Sequence, residues 1–169
     1  MIVVEGSIEV DDLDGTLSTL DAVAEEYGLT VQAFDARYLV DRGHLERSVE
    51  LADRAFDRGE NVARERSVEI LLYAAGRRQI DDALEMGVAE GQTPVAVVVD
   101  DVDGDGDAES AAAAALRDRF ALDPASTLDS VDAERVRAFF DVPAVELDAV
   151  DGDLTDLVHE RVALLDVEK

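Results

Sequence analysis

Five residues from Val95 to Val99, all β-branched except Ala96, form the stretch that most limits what this chain can fold into. A run that apolar and that short has no polar side to give to solvent, so it fits a strand buried on both faces at the centre of a sheet. The remaining elements have to be arranged around it.

A second strand is read at the start, where Ile2, Val4, Ile8 and Val10 share one face of a period-two pattern and Gly6 suggests a bulge or bend. Thr16 is expected to cap a helix with the apolar stripe Leu17, Leu20, Ala24 and Tyr27, stopped by Gly28. Leu29 to Tyr38 then reads as the next strand. Asp41 can cap a helix carrying Leu45, Val49, Ala52 and Phe56, and Gly59 ends it. Ser67 opens another helix, with Val68, Leu71, Leu72 and Ala75 inward and a stop at Gly76. A shorter helix follows with Ile80, Ala83 and Leu84, up to Gly87. Beyond the acidic loop 100–107 come an alanine-rich helix from about Glu109 to Ala121, a short helix capped by Asp132, and an edge strand at Val145 to Leu147. A last helix from about Thr155 turns Leu157, Val158, Val162 and Leu165 inward. The expected fold is α/β, a small mixed sheet flanked by helices. At 169 residues, with no internal repeat and no linker, it reads as a single domain spanning 1–169.

Several chemistries are disfavoured by composition. There is no cysteine, which removes disulfides and thiolate chemistry, and two distant histidines, His44 and His159, make a histidine-rich metal site improbable. No apolar stretch approaches the length of a membrane span and no signal sequence is evident, so a cytoplasmic protein without membrane contact is expected. The net charge of −26 comes from acids spread along the chain rather than blocked in a tail. Together with a single lysine, Lys169, that spread resembles the surfaces of proteins from very salty cytoplasm.

The loop Asp101, Asp103, Asp105, Gly106, Asp107 opens like a calcium loop, but Ala112 stands where the closing bidentate glutamate belongs. Asp100, Asp101 and Asp103 at the end of a central strand leave open a magnesium-dependent phosphotransfer enzyme, although no phosphate-binding glycine loop accompanies them. No nucleophile motif is present either. The expectation is a protein that is not an enzyme and takes no cofactor or metal.

The one stretch that is not acidic runs from Arg37 to Arg78, with nine of the fourteen arginines against eight acids. Within it Arg64, Arg66, Arg77 and Arg78 oppose only Glu65 and Glu69, near two expected helix N-termini. Phosphate recognition fits that pattern; internal pairing of the same arginines with neighbouring acids is the competing reading.

The stretch Val31-Gln-Ala-Phe-Asp35, then His44-Leu45, the Ala52 to Ala55 helix, Glu69-Ile-Leu-Leu72, Ala75-Gly76, Gln79-Ile80 and Ala83 resembles the small kinase-binding regulatory subunit of the KEOPS complex, the TPRKB family. The resemblance runs from the first strand to Val99, and the tail from Asp100 onward matches less well. It implies a non-catalytic subunit of the machinery that makes threonylcarbamoyladenosine in tRNA. Its implied partners are the kinase/ATPase subunit of that complex, indirectly the threonylcarbamoyl transferase subunit, and tRNA through its CCA end. Carried onto this sequence, the RNA-facing residues are Arg64, Arg66, Arg77, Arg78, Gln79 and Ile80. A protein-only regulatory adaptor without RNA contact is the alternative. If four arginines neutralise four phosphates, a tenfold rise in salt costs nearly a thousandfold in affinity, or about 4 kcal/mol, so stacking and apolar contact, with Ile80 and the planes of Arg77 and Arg78 as platforms, are expected to carry much of the binding. Ile80 also fits the apolar stripe of its helix and competes as a core residue.

Overall fold

The Val95–Val99 run lies inside a ten-residue strand with a neighbour on either side, and all five residues are buried. The computed structural model describes residues 1–104, 106–149 and 153–168. Two compact units divide the chain, and each is assembled from two stretches of it. The first takes Met1–Ala36 with Gly87–Thr127, the second Arg37–Met86 with the described part of Leu128–Lys169.

The first unit holds the sheet. Its strands β1 (Ile2–Val10), β2 (Thr30–Asp35), β3 (Gly91–Asp100) and β4 (Asp123–Pro124) are ordered β2-β3-β1-β4, and every pairing is antiparallel. β1 and β2 therefore run in the same direction with β3 inserted between them. Helix α1 (Leu13–Tyr27) makes the connection, a split strand-helix-strand crossover. Val4, Ile8 and Val10 of β1 and Val95, Val97 and Val99 of β3 share one core cluster with Leu20 and Val23 of α1 and Ala112, Ala113 and Leu116 of α5 (Asp107–Arg119). The α/β class and the small sheet flanked by helices are as expected.

Local departures have identifiable causes. Gly6 makes no bulge: it keeps register with both Val95 and Pro124, and a β-carbon there would stand 2.4 Å from the Leu122 side chain and the Asp123 carbonyl oxygen. It is glycine because β4 comes so close. Helix α1 starts at Leu13 behind Asp12, so Thr16 is a buried residue of its inner face, and Leu17, 44% exposed, lies outside the stripe that Leu20 and Val23 continue. β2 stops at Asp35 and gives way to a 3-10 turn, Ala36–Tyr38.

The second unit is helical. It contains α2 (Arg42–Arg58), α3 (Arg66–Ala75), the single turn α4 (Ile80–Ala83) with a 3-10 turn Leu84–Met86, α6 (Ala133–Phe139), α7 (Ala144–Ala149) and α8 (Leu154–Glu168). Val145–Leu147, read from sequence as an edge strand, belongs to α7, which follows Pro143 and has no buried residue. Leu157, Val158, Val162 and Leu165 of α8 are buried as predicted. The helix α3 is enclosed all round: every residue from Glu69 to Ala75 is buried. A helix with no solvent face must have its end groups satisfied by protein.

The C-terminal end is satisfied in two ways. At the C-terminus Gly76, in the left-handed region at φ 61°, closes a Schellman turn, with its N–H on the Tyr73 carbonyl and the Arg77 N–H on the Leu72 carbonyl. The Ala74 carbonyl accepts from Nε2 of the fully buried His44 at 2.7 Å, while His44 Nδ1 accepts from the Val40 N–H at 3.4 Å. These two partners leave His44 one tautomer and no room for a second proton. At the other end the buried Glu69 carboxylate accepts from the Val62 and Ala63 N–H groups and pins the loop before the helix.

Burial holds the His44 pKa down at about 4, against the partial upward pull of the Ala74 carbonyl. The unfolded chain therefore takes up this proton first as pH falls. The stabilising contribution is complete above about pH 6.5 and is lost on the way down to about 4, amounting to about 3 kcal/mol. Chemical denaturation of the wild type and His44→Gln from pH 7 to 4 should show the wild type losing that much relative to the variant; parallel pH profiles would contradict it.

Candidate nucleic-acid interface

The arginines that lie together in the sequence are placed at the two ends of α3. Arg64 and Arg66 stand at its N-terminus, Arg77 and Arg78 just beyond its C-terminus. Ten helical residues rising 1.5 Å each separate the two groups by about 15 Å. They form two cationic points rather than one patch.

The four guanidinium groups also differ in what they hold. Arg66 is committed: Nε and Nη2 meet the two oxygens of Asp53 at 2.7 and 2.9 Å in a bidentate, partly buried pair. Arg77 is half-committed. Its Nη2 donates to the Phe139 carbonyl, its guanidinium lies 5.0 Å from the Phe139 ring centre, and Asp141 is a loose ion partner at 3.9 Å. Arg64 and Arg78 are exposed and, among the described residues, have no hydrogen-bond or ion-pair partner. Internal pairing thus holds for Arg66 and in part for Arg77, and leaves Arg64 and Arg78 available to an external anion.

Gln79 is exposed at the start of α4, and Ile80 is 42% exposed. Ile80 is therefore a surface side chain and not core. Leu84, also read as inward, is 55% exposed; Ala83 and Met86 are the residues this segment buries. Ile80 and Leu84 stand four apart and can present an apolar edge beside Arg78 and Gln79.

Neither helix N-terminus adds to the cationic character. The first turn of α3 contains the buried Glu69, and α4 is one turn long with Asp81 and Asp82 in it. The positive end of each helix faces a carboxylate of the protein itself.

Sequence proximity did not reveal the residues from the far end of the chain that shape the C-terminal end of α3. Arg161 of α8 donates through Nε to the Phe140 carbonyl at 2.9 Å and through Nη2 to Glu146 at 2.7 Å. With Arg77 it satisfies consecutive carbonyls past the end of α6, where Asp141 sits in the left-handed region at φ 54°. Phe139, Phe140 and Tyr38 stack edge to face, with the Phe140 ring 5.9 Å from that of His44. Nothing in the local sequence around Arg77 points to these partners.

The acidic loop is occupied with local structure. Asp100 pairs with the Met1 amine at 3.3 Å, the Asp101 N–H donates to Glu109, and the Asp101 carboxylate fills the space that a side chain at Gly104 would need. Among the described residues no three carboxylates or histidines converge on a point that could hold a metal ion. Asp105 lies outside the described residues.

These roles separate stability from binding. Arg66→Ala should cost about 1 kcal/mol in chemical denaturation by stranding the partly buried Asp53, whereas Arg78→Ala should change stability by less than about 0.5 kcal/mol. The reverse order would contradict the assignment.

The family model described as kinase binding protein CGI-121 matches residues 12–166, so the match runs past Val99, through the acidic loop and into α8. No curated protein matches the chain. The resemblance read from the segments between Val31 and Ala83 is thereby borne out: the chain belongs to the CGI-121 family of kinase-binding proteins.

Proposed function

We propose that this protein is a non-catalytic subunit of a KEOPS-type complex, which binds the kinase/ATPase subunit and recruits tRNA through its CCA end. The kinase role follows from family membership. The RNA role rests on one observation: in a chain of net charge −26, the exposed guanidinium groups of Arg64 and Arg78 have no partner among the described residues, and Ile80 is exposed close to Arg78. The threonylcarbamoyl transferase is then an indirect partner through the kinase. A cytoplasmic location suits that role, and among the described residues no helix is long and apolar enough to cross a membrane.

The protein-only adaptor is the reading favoured by Arg66 and Arg77, whose guanidinium groups are used inside the fold. Salt dependence separates the two. If Arg64 and Arg78, and not Arg66 and Arg77, neutralise phosphates, affinity for a single strand should fall with a logarithmic slope of about −1.4, or about 25-fold for a tenfold rise in salt. The slope expected for four free arginines is about twice as steep. The shallower loss leaves apolar and stacking contact to sustain binding in concentrated salt.

The test is binding of the purified protein to tRNA with and without its CCA end, over a potassium chloride series reaching multimolar concentrations. Loss of affinity on removing the CCA end, with the shallow slope, is the expected result. No binding at any salt concentration would leave the protein-only adaptor.

A further inference from the structure

Charge is shared unevenly between the two units. Over 1–36 and 87–127 the sequence carries 18 acids against two arginines, a net −16; over 37–86 and 128–169 it carries 23 acids against 13 basic side chains, a net −10. The more negative unit is also the shorter, with stretches of 36 and 41 residues against 50 and 42. We propose that the sheet-bearing first unit draws its counterions from dissolved salt and loosens first when salt is withdrawn, whereas the helical second unit carries its own and keeps its fold.

The contrast is plainest in two long helices. α1 holds Asp14, Asp21, Glu25 and Glu26 and no basic residue, whereas α2 holds four acids and four arginines. On α2 opposite charges face each other three or four residues apart: Arg42 meets Glu46 at 2.9 Å, and Glu50 lies between Arg47 at 2.8 Å and Arg54 at 3.3 Å. On α1 the exposed Asp21 and Glu25 stand four apart and repel. Glu25 and Glu26 also occupy its last turn, against the negative end of the helix dipole, where α2 has Arg58. Arg119 of α5 pairs with Glu26, and Arg117 is the only other side-chain cation of the unit.

Salt sets how far such repulsion reaches. Screening extends over about 3 Å in 1 M salt and about 10 Å in 0.1 M. Asp21 and Glu25, about 6 Å apart along the helix axis, are therefore hidden from each other in the first case and not in the second. Unfolding lets like charges separate, so a fold that holds them together loses stability as screening fails. Leu20 and Val23 of α1 belong to the core cluster with Val4 of β1 and Val97 of β3, so loosening α1 opens that cluster. The second unit responds with the opposite sign wherever its arginines meet carboxylates, as in Arg66 with Asp53, Arg135 with Asp132 and Arg161 with Glu146. Attraction within those pairs strengthens when salt is withdrawn.

The test is hydrogen exchange of the full chain, read amide by amide as potassium chloride is lowered from multimolar concentrations to about 0.1 M. Protection of Val4, Val23 and Val97 should fall by at least about tenfold at salt concentrations that leave Leu51 and Leu72 protected. Concentrated salt also strengthens apolar burial everywhere, and the variant Asp21→Asn/Glu25→Gln isolates the contribution of charge. It should lower the salt concentration at which the first unit loses protection and leave exchange in α2 and α3 unchanged. Simultaneous loss of protection in both units, earlier loss in the second, or full protection of both down to about 0.1 M overturns the proposal. A folded variant whose salt profile matches the wild type overturns it as well.

Discussion

Enclosure of α3 on every side is the constraint to which the rest of the second unit answers. A helix without a solvent face cannot leave its end groups to water, and each unmet buried polar group costs about 1–3 kcal/mol. Burial keeps His44 neutral, and its Nε2–H supplies the donor that the Ala74 carbonyl needs. Glu69 is buried because the N–H groups of Val62 and Ala63 need an acceptor. Gly76 is left-handed because the chain must turn back sharply to satisfy Leu72 and Tyr73. Arg77 follows directly on that turn, its N–H on the Leu72 carbonyl.

Most of the arginines have a partner within the fold. Arg66 meets Asp53 and Arg161 meets Glu146, while Arg77 closes the end of α6. In a chain this acidic, an arginine finds a carboxylate easily, so one that has none among the described residues stands out. Arg64 and Arg78 are two such, about 15 Å apart along α3, and Arg58 and Arg117 are two more. Two separated cations cannot supply strong electrostatic binding in concentrated salt, so the proposed RNA role needs apolar contact, for which Ile80 is exposed beside Arg78.

Much of the fold was legible because the signals are local. Val95–Val99 reads as an inner strand from its composition, and Gly28, Gly59 and Gly76 end helices at left-handed angles where the periodicity stops. Asp41 and Asp132 cap helices through their side chains as read. The errors have one physical origin, the dependence of burial on distant partners. Ile80 and Leu84 fit a helical stripe, but the side this short segment buries is that of Ala83 and Met86. Val145 and Leu147 have strand-forming composition without a strand beside them to pair with. Of the candidate site, charge counting picks out the arginines, yet it could not reveal that Asp53 takes one and the Phe139 carbonyl another, or that Arg161 would stand near Arg77 from 84 residues away.

The central claim is that the protein recruits RNA with the side chains left free at the two ends of α3 while meeting its kinase partner independently of them. The most direct measurement is a parallel titration of the Arg64→Glu/Arg78→Glu double variant with tRNA and with the kinase subunit, accompanied by its melting curve. The account predicts wild-type melting, wild-type kinase binding and a large loss of tRNA affinity. A folded double variant that binds tRNA as the wild type does would contradict it.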